Sequence, residues 1–435
     1  MPTGKDSSGT EQMLHAAIPA MNEAAFLPDT IQCLLSQNHK NYKIWVCVNQ
    51  PDHWWDDPDK EIICHNNQET LDYLYNLNDD RLTIIDCCTK GKGWKGKSFG
   101  VGQARKHLMD TINKEASDSD IIVSLDADTL FRPDYLQSIN NIFNSHANAI
   151  ALSNPYYHQL TEDVTLNRAM LRYEIYMRHY AINMWRIGSP YNFTALGSAI
   201  ALPVCSYRKI GGITAKKSGE DFYFLQKLRK TGWICNHNDQ KVYPGTRYSD
   251  RVFFGTGPAL IKGSSGNWES YPIYDIQLFD QVKETYEAFN DLYQRAVLTP
   301  MTDFLIRQFR EEDPFESLRK NSATPEQFVR ACHQKIDGLR VLQFLKSETM
   351  KTKLNDVLKL IEFLEYHNEI IPEKILKPLQ NEKQTPPVTQ KLKQHGFDGC
   401  PVDLLDAIRN YLMAIEVGFQ RYDLGTENWE LRTGI

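Results

Sequence analysis

The chain is predicted to be an α/β protein up to about Ile276, with a mostly parallel central sheet, and to end in an α-helical region. Three observations lead there. Short apolar runs of strand length alternate with stretches whose apolar residues recur near every 3.6 positions. Four of those runs stop in polar or glycine-rich sequence, as expected where parallel strands deliver binding loops at their carboxyl ends. Beyond Ile276 only helical periodicity remains.

The elements follow in order. A polar leader, residues 1–12, gives way to His15–Pro19, a first short buried strand, and Asn22-Glu23 then leads into a helix through Leu27, Ile31, Leu34 and Leu35. Tyr42–Val48 is a second strand, stopped by Asn49-Gln50-Pro51. Asp52 to about Asp80 reads as a hydrated insertion carrying Trp54 and Trp55. Leu82–Ile85 is a third strand, followed by a glycine/lysine loop from Lys90 to Lys97 and a helix from Val101 to Asn113. Ile121–Leu125, the fourth strand, runs into Asp126-Ala127-Asp128. This alternation implies βαβ units. The later helices are expected at Asp280–Arg295, Met301–Arg310, Pro325–Gln334, Met350–Tyr366 and Val402–Phe419, with a break at Thr385-Pro386-Pro387. The expected division is an α/β domain over residues 13–276 and a helical region over 277–435 that supports the fold without catalytic groups.

Composition narrows the classes. With 435 residues, 41% hydrophobic and 24% charged, neither disorder nor a small disulfide scaffold fits. A net charge of −6 argues against a polybasic nucleic-acid binder, so any anion must meet a local basic patch. Nine cysteines without a C-x-x-C pair suit a reducing compartment. No apolar run approaches 18 residues and the leader lacks a secretory pattern. The expectation is a cytoplasmic protein without a transmembrane segment, a peripheral contact at the inner face of the membrane being left open.

Three segments carry chemistry. Asp126 and Asp128, two residues apart at a strand end, can turn into one crevice and hold a hard divalent cation, which can neutralise a diphosphate. Gly91-Lys92-Gly93-Trp94-Lys95-Gly96-Lys97-Ser98 satisfies both G-x-G-x-x-G and the P-loop string G-x-x-x-x-G-K-S. That makes a P-loop NTPase a rival reading. Against it, the loop follows the third strand, and the reading leaves Gly219-Glu220-Asp221 unused. Ser218 to Asp221 is a capping-box pattern opening an amphipathic helix. Capping explains one acid. Two adjacent acids can offer a general base and a second carboxylate for hydroxyls.

Taken together, Ile18-Pro19-Ala20-Met21-Asn22-Glu23, Ala104-Arg105, Leu125-Asp126-Ala127-Asp128, Gly211-Gly212 and Gly219-Glu220-Asp221 resemble a family 2 glycosyltransferase of bacterial, soluble type over about residues 13–257. The resemblance implies the GT-A fold, a Rossmann-like nucleotide-diphospho-sugar transferase architecture, and a hexosyl- or N-acetylhexosaminyltransferase of polysaccharide biosynthesis. It implies an inverting, metal-dependent transfer from a nucleotide-diphosphate sugar to a carbohydrate or lipid-linked acceptor, with Mn²⁺ or Mg²⁺ as cofactor. Pro19, Asn22 and Glu23 match the loop lining the nucleotide pocket, and Arg105 the helix arginine facing the donor, with Lys97 ahead of it. Asp126 and Asp128 match the DXD metal and diphosphate motif, and Asp221 the catalytic base with Glu220 beside it. Asn49 stands where the family usually has a base-reading aspartate, which leaves the nucleotide open. His237 and Asp250 are candidates for a third metal ligand, Arg251 for a phosphate contact, and Trp54, Trp55 and Trp268 for sugar stacking or burial. A non-catalytic nucleotide-sugar or glycan binder is the further alternative.

Overall fold

The computed structural model describes residues 12–96, 99–249, 255–351, 355–370 and 385–425. Its residues cluster into two compact units, one formed by the chain through Gln159 with Ala195–Gly245, the other by Leu160–Thr194 and the segments after Gly245.

The first unit is built on strands whose sequences are apolar almost without interruption. β1 (Leu14–Ala20) and β2 (Tyr42–Asn49) are buried along nearly their whole length, as strands covered on both faces must be. β3 (Leu82–Cys87) and β4 (Ile121–Ser124) complete the four expected runs. Five short strands follow: β5 (Leu130–Phe131), β6 (Ala149–Ser153), β7 (Ile200–Pro203), β8 (Trp233–Cys235) and β9 (Val242–Tyr243). The main sheet has the order β3-β2-β1-β4-β7-β6-β8, parallel except for β7, while β5 and β9 pair separately. The expected fold class is the one observed.

Helix Val101–Glu115 lies against β1 and β2, burying Ala104, Leu108, Met109 and Ile112 at helical spacing. Arg105 is buried among them. The segment read as a hydrated insertion holds a 17-residue helix, Glu61–Leu77, which packs on β2 and β3 through Cys64, Leu71 and Leu74. Its apolar stripe is narrow, and its buried Asn67 and Thr70 read as surface residues in sequence.

The second unit is helical. The 23-residue helix Val164–Arg186 contributes Leu171, Ile175 and Ile182 to a core shared with Phe363, Leu405 and Leu412. This helix and Val402–Gly425 are also joined by buried charges. Glu174 Oε1 accepts from Arg178 Nη2 at 2.6 Å and Glu174 Oε2 from Arg409 Nη1 at 3.2 Å, and Arg178 reaches Glu416 as well. Three boundaries differ from expectation. Helices Gly338–Thr349 and Asp356–Ile370 replace one starting at Met350, and Ala288 separates Ile276–Glu287 from Phe289–Gln294. The Thr385-Pro386-Pro387 break opens helix Thr385–Gly399, since proline in a first turn forfeits no intrahelical bond. No helix among the described residues is long and apolar enough to cross a membrane, and all nine cysteines are free.

Removing Glu174 leaves two buried guanidinium groups short of their partner. Glu174→Leu is expected to destabilise the protein by about 3–5 kcal/mol in urea denaturation, and a loss below about 1 kcal/mol would show that the network contributes no cohesion.

Candidate active site

The sheet changes direction of growth at β1, which has β2 on one side and β4 on the other. Ligands of α/β sheets bind at such a point, beyond the carboxyl ends of the strands. Pairing with β4 runs only from Leu14–Ile121 to Ala17–Ser124, while β1 continues alongside β2 to Ala20. Pro19, which has no N–H to donate, falls in the stretch that β4 has left. Past the end of β4 the chain turns through Asp126-Ala127-Asp128. Thr30 Oγ1 donates to the Ala127 carbonyl at 2.9 Å, and Thr129 N–H closes on the Asp126 carbonyl at 3.2 Å. Asp126 and Asp128 are half-buried, the Asp128 carboxyl lying against Gly245.

Arg105 gathers the surrounding groups. Its Nη2 donates to Asp126 Oδ1 at 2.7 Å, its Nε to Glu220 Oε1 at 3.3 Å, and its Nη1 to the Gly197 carbonyl at 3.1 Å and to Ser124 Oγ. Burial works against the charge, yet Asp126 and Glu220 together hold the guanidinium above its ordinary pKa range. A Cβ at position 197 would lie 2.4 Å from Arg105 Nη2, so a side chain there would displace the guanidinium. Neither Ser124 nor Gly197 was singled out as a site residue from sequence. Gly197 had a signal, in the Ala195-Leu196-Gly197-Ser198 segment that interrupts the apolar pattern.

The two adjacent acids are in different environments. Helix Glu220–Arg229 begins at Glu220 with Gly219 as its cap, so the Ser218–Asp221 capping box does not form. Glu220 turns inward to Arg105 and is 4% exposed. Asp221 is half-buried and takes the Phe222 N–H at 2.7 Å. Burial first, and then the Glu220 charge, push its carboxyl up to about 7, although Arg105 favours the ionised form. The spatial cluster is therefore Arg105, Asp126, Glu220 and Asp221.

The loop after β1 is held from the insertion helix. Asn22 adopts φ 60°, a left-handed conformation that asparagine tolerates, and its N–H donates to Asn67 Oδ1 at 2.7 Å. Ala24 N–H donates to Asn66 Oδ1 at 3.1 Å, and Glu23 is buried. Asn66 and Asn67 were missed from sequence; an adjacent pair inside a polar stretch was their only signal. Asn49 is buried at the end of β2, its amide engaged with the Ala20 carbonyl and the Trp94 indole.

Over Gly91–Trp94 the backbone N–H groups of the glycine loop are engaged within the protein. The N–H groups of Gly91 and Gly93 both donate to Asp52 Oδ1, at 2.7 and 3.2 Å, and those of Lys92 and Trp94 to the carbonyls of Thr89 and Gln50. An internal carboxylate therefore takes two glycine N–H groups that could otherwise meet an anion.

Comparison with known proteins agrees with this geometry. Residues 16–196 match Glycosyl transferase family 2, and residues 121–281 match Glycosyl transferase family group 2. The chain is a family 2 glycosyltransferase. The sheet of the first unit is that of the GT-A fold. Among solved structures, S. aureus TarS 1–349 in complex with UDP-GlcNAc is 14% identical, covers 77% of this chain and 84% of its own, and has a TM-score of 0.38. PcManGT, a mannosyltransferase from Pyrobaculum calidifontis in complex with GDP-Man and Mn²⁺, is 14% identical, covers 93% and 86%, and has a TM-score of 0.34. Likeness at that level says nothing about the donor, metal or acceptor of this glycosyltransferase. The search of curated proteins gave no match.

Other expected site residues fall elsewhere. Lys97, Asp250 and Arg251 lie outside the described residues. His237 faces Asp239 at 3.6 Å, and among the described residues no three His, Cys, Asp or Glu side chains form a metal-binding group. Trp55 donates to the Cys88 carbonyl at 2.7 Å, and Trp54 packs edge-on against Phe99. Trp268 lies in the helical unit beneath the Arg172 guanidinium.

The raised Asp221 pKa makes a stability prediction. Below about pH 4 the carboxyl is protonated in both folded and unfolded states; between there and 7 the folded state keeps a proton the unfolded state releases. Stability from this group therefore falls as pH rises through that window. Asp221→Asn is expected to exceed wild type in stability at pH 8, with the gap closing towards pH 4, when denaturation is followed across pH. A gap independent of pH would refute the shift.

Proposed function

We propose that this glycosyltransferase moves a sugar from a nucleoside-diphosphate donor to a hydroxyl of a carbohydrate or lipid-linked acceptor, with inversion and with a divalent cation. The observation that carries the reading is Asp221, a carboxyl pushed up to about 7 in one cluster with Arg105 and Asp126. A base works best with a pKa near the operating pH. In this reading Asp221 accepts the proton of the acceptor hydroxyl as its oxygen attacks the anomeric carbon, and the bond to the diphosphate oxygen breaks. Glu220, engaged with Arg105, holds the guanidinium in place and leaves the proton to its neighbour. Pro19, Asn22 and Glu23 form the donor side of the crevice, with Lys97 and Arg251 as further basic contacts. All these groups belong to the proposed catalytic domain, residues 13–276, and the helical region, 277–435, adds none.

The cation is supported by charge. Asp126, Glu220 and Asp221 put three carboxyl groups around Arg105, with Asp128 two residues beyond Asp126, and an anionic diphosphate has no reason to enter such a crevice alone. Two carboxylates, with no group of three ligating side chains among the described residues, suit a cation that takes remaining ligands from phosphate and water. Asp126 and Asp128 would hold it, where it would stabilise the negative charge that builds on the leaving diphosphate.

Two measurements test this. Asp221→Asn keeps size and cannot take a proton at neutral pH; turnover is expected to fall at least about a hundredfold with donor affinity little changed, and near-normal transfer would remove Asp221 as the base. Calorimetry with a nucleoside diphosphate is expected to show binding that requires Mn²⁺ or Mg²⁺ and that Asp128→Ala abolishes. Equal affinity in the presence of a chelator would remove the metal.

A further inference from the structure

Asn49 sits at the carboxyl end of β2, beside the crevice, and both ends of its amide are engaged within the protein. Its Nδ2 donates to the Ala20 carbonyl at 2.9 Å, and its Oδ1 accepts the Trp94 indole N–H at 3.1 Å. Trp94 is fixed on every side. Its N–H donates to the Gln50 carbonyl at 2.9 Å, its carbonyl accepts Asp52 N–H at 3.1 Å, and its half-buried ring stands edge-on to His107, 5.5 Å away, on the helix that carries Arg105. The preceding residue has no room for a side chain, since a Cβ at Gly93 would lie 2.6 Å from the Asp52 Cα. Asp52, through the N–H groups of Gly91 and Gly93, closes the loop behind it.

We infer that Asn49 and Trp94 form a latch that pins the glycine/lysine loop between the end of β2 and the Arg105 helix, and that Asn49 is a positioning residue for the donor diphosphate that does not read the nucleobase. This rests on the donor reading proposed above and deepens it. An amide whose carbonyl oxygen already accepts an indole N–H, and whose NH₂ donates to the Ala20 carbonyl and reaches the Cys47 carbonyl at 3.5 Å, has no N–H left for a base edge. Its effect on the donor passes through Trp94 and His107 to the helix that carries Arg105, so it acts on all nucleotides alike. Selection among bases then lies with other residues of the pocket.

The test uses the full chain with UDP, GDP, CDP and ADP as probes, each titrated by calorimetry in the presence of Mn²⁺. Trp94→Phe keeps an aromatic ring against His107 and loses the indole donor; Asn49→Ser is too short to reach Trp94. Each is expected to weaken every nucleotide that wild type binds by a common factor, about five- to tenfold for one lost hydrogen bond, with the order of preference unchanged. The double variant is expected to lose no more than the worse single one, because both changes break the same contact. In the transfer reaction the loss is expected in KM for the donor, with kcat held within about threefold. A changed order among the four nucleotides in Asn49→Ser would show that Asn49 reads the base and overturn this inference alone. Unchanged affinities with a lowered melting temperature would reduce the latch to a structural role and also overturn it. Should Asn49→Ser not fold, Trp94→Phe decides by the same criteria. Wild type that binds none of the four would overturn the donor reading and the latch with it.

Discussion

A buried guanidinium organises the catalytic unit. Arg105 lies in the apolar face of its helix, where an unpaired charge would be prohibitive, and two carboxylates from distant parts of the chain make it tolerable. Asp126 comes from the end of β4 and Glu220 from the start of a helix more than ninety residues further on. Each must be in place for the others to be satisfied, so the arrangement is fixed as a whole. Gly197 is drawn in as well, since its backbone must approach the guanidinium closely enough to accept from it. The same ion pair divides labour between adjacent acids. Glu220 is neutralised by contact, and Asp221, one residue on, has Arg105 only at a distance and a like charge beside it. The high pKa of Asp221 follows first from burial and then from the Glu220 charge beside it.

Much of this was legible in sequence because it is local. Apolar runs of four to eight residues mark β1 to β4, and the polar residues that stop them mark the edge where the site lies. Asp126, Asp221 and Arg105 stand out as charges where the pattern calls for turns or core. What could not be read depends on partners far away. β6, β7 and β8 have three to five residues each, too few for a period to show. Helix Glu61–Leu77 buries asparagine and threonine that look solvent-facing until the loop after β1 is laid against them. The Ser218–Asp221 capping box fails as well: the helix starts at Glu220 with Gly219 as its cap, and Glu220 reaches Arg105, 115 residues away in sequence.

The glycine loop shows how a short pattern can be met without its chemistry. G-x-x-x-x-G-K-S describes spacing, and a phosphate cradle needs in addition that the backbone N–H groups be left for a ligand. Here those of Gly91 and Gly93 are taken by Asp52, a residue 39 positions before Gly91, which no inspection of the loop alone would reveal. The loop's lysines bear on this too: Lys90 pairs with Asp56 and Lys92 with Asp86, so two of its cations are already answered by the protein's own acids.

The same logic explains why position 49 carries an amide. Two groups meet there, a backbone carbonyl from β1 that needs a donor and an indole N–H from the loop that needs an acceptor. An aspartate could accept from Trp94, but its second oxygen would face the Ala20 carbonyl with like charge in a buried place. A leucine would fill the space and leave both groups unsatisfied. Asparagine is the small side chain that donates at one end and accepts at the other, without adding a further negative charge to a crevice already rich in carboxylates. The amide closes on the protein itself.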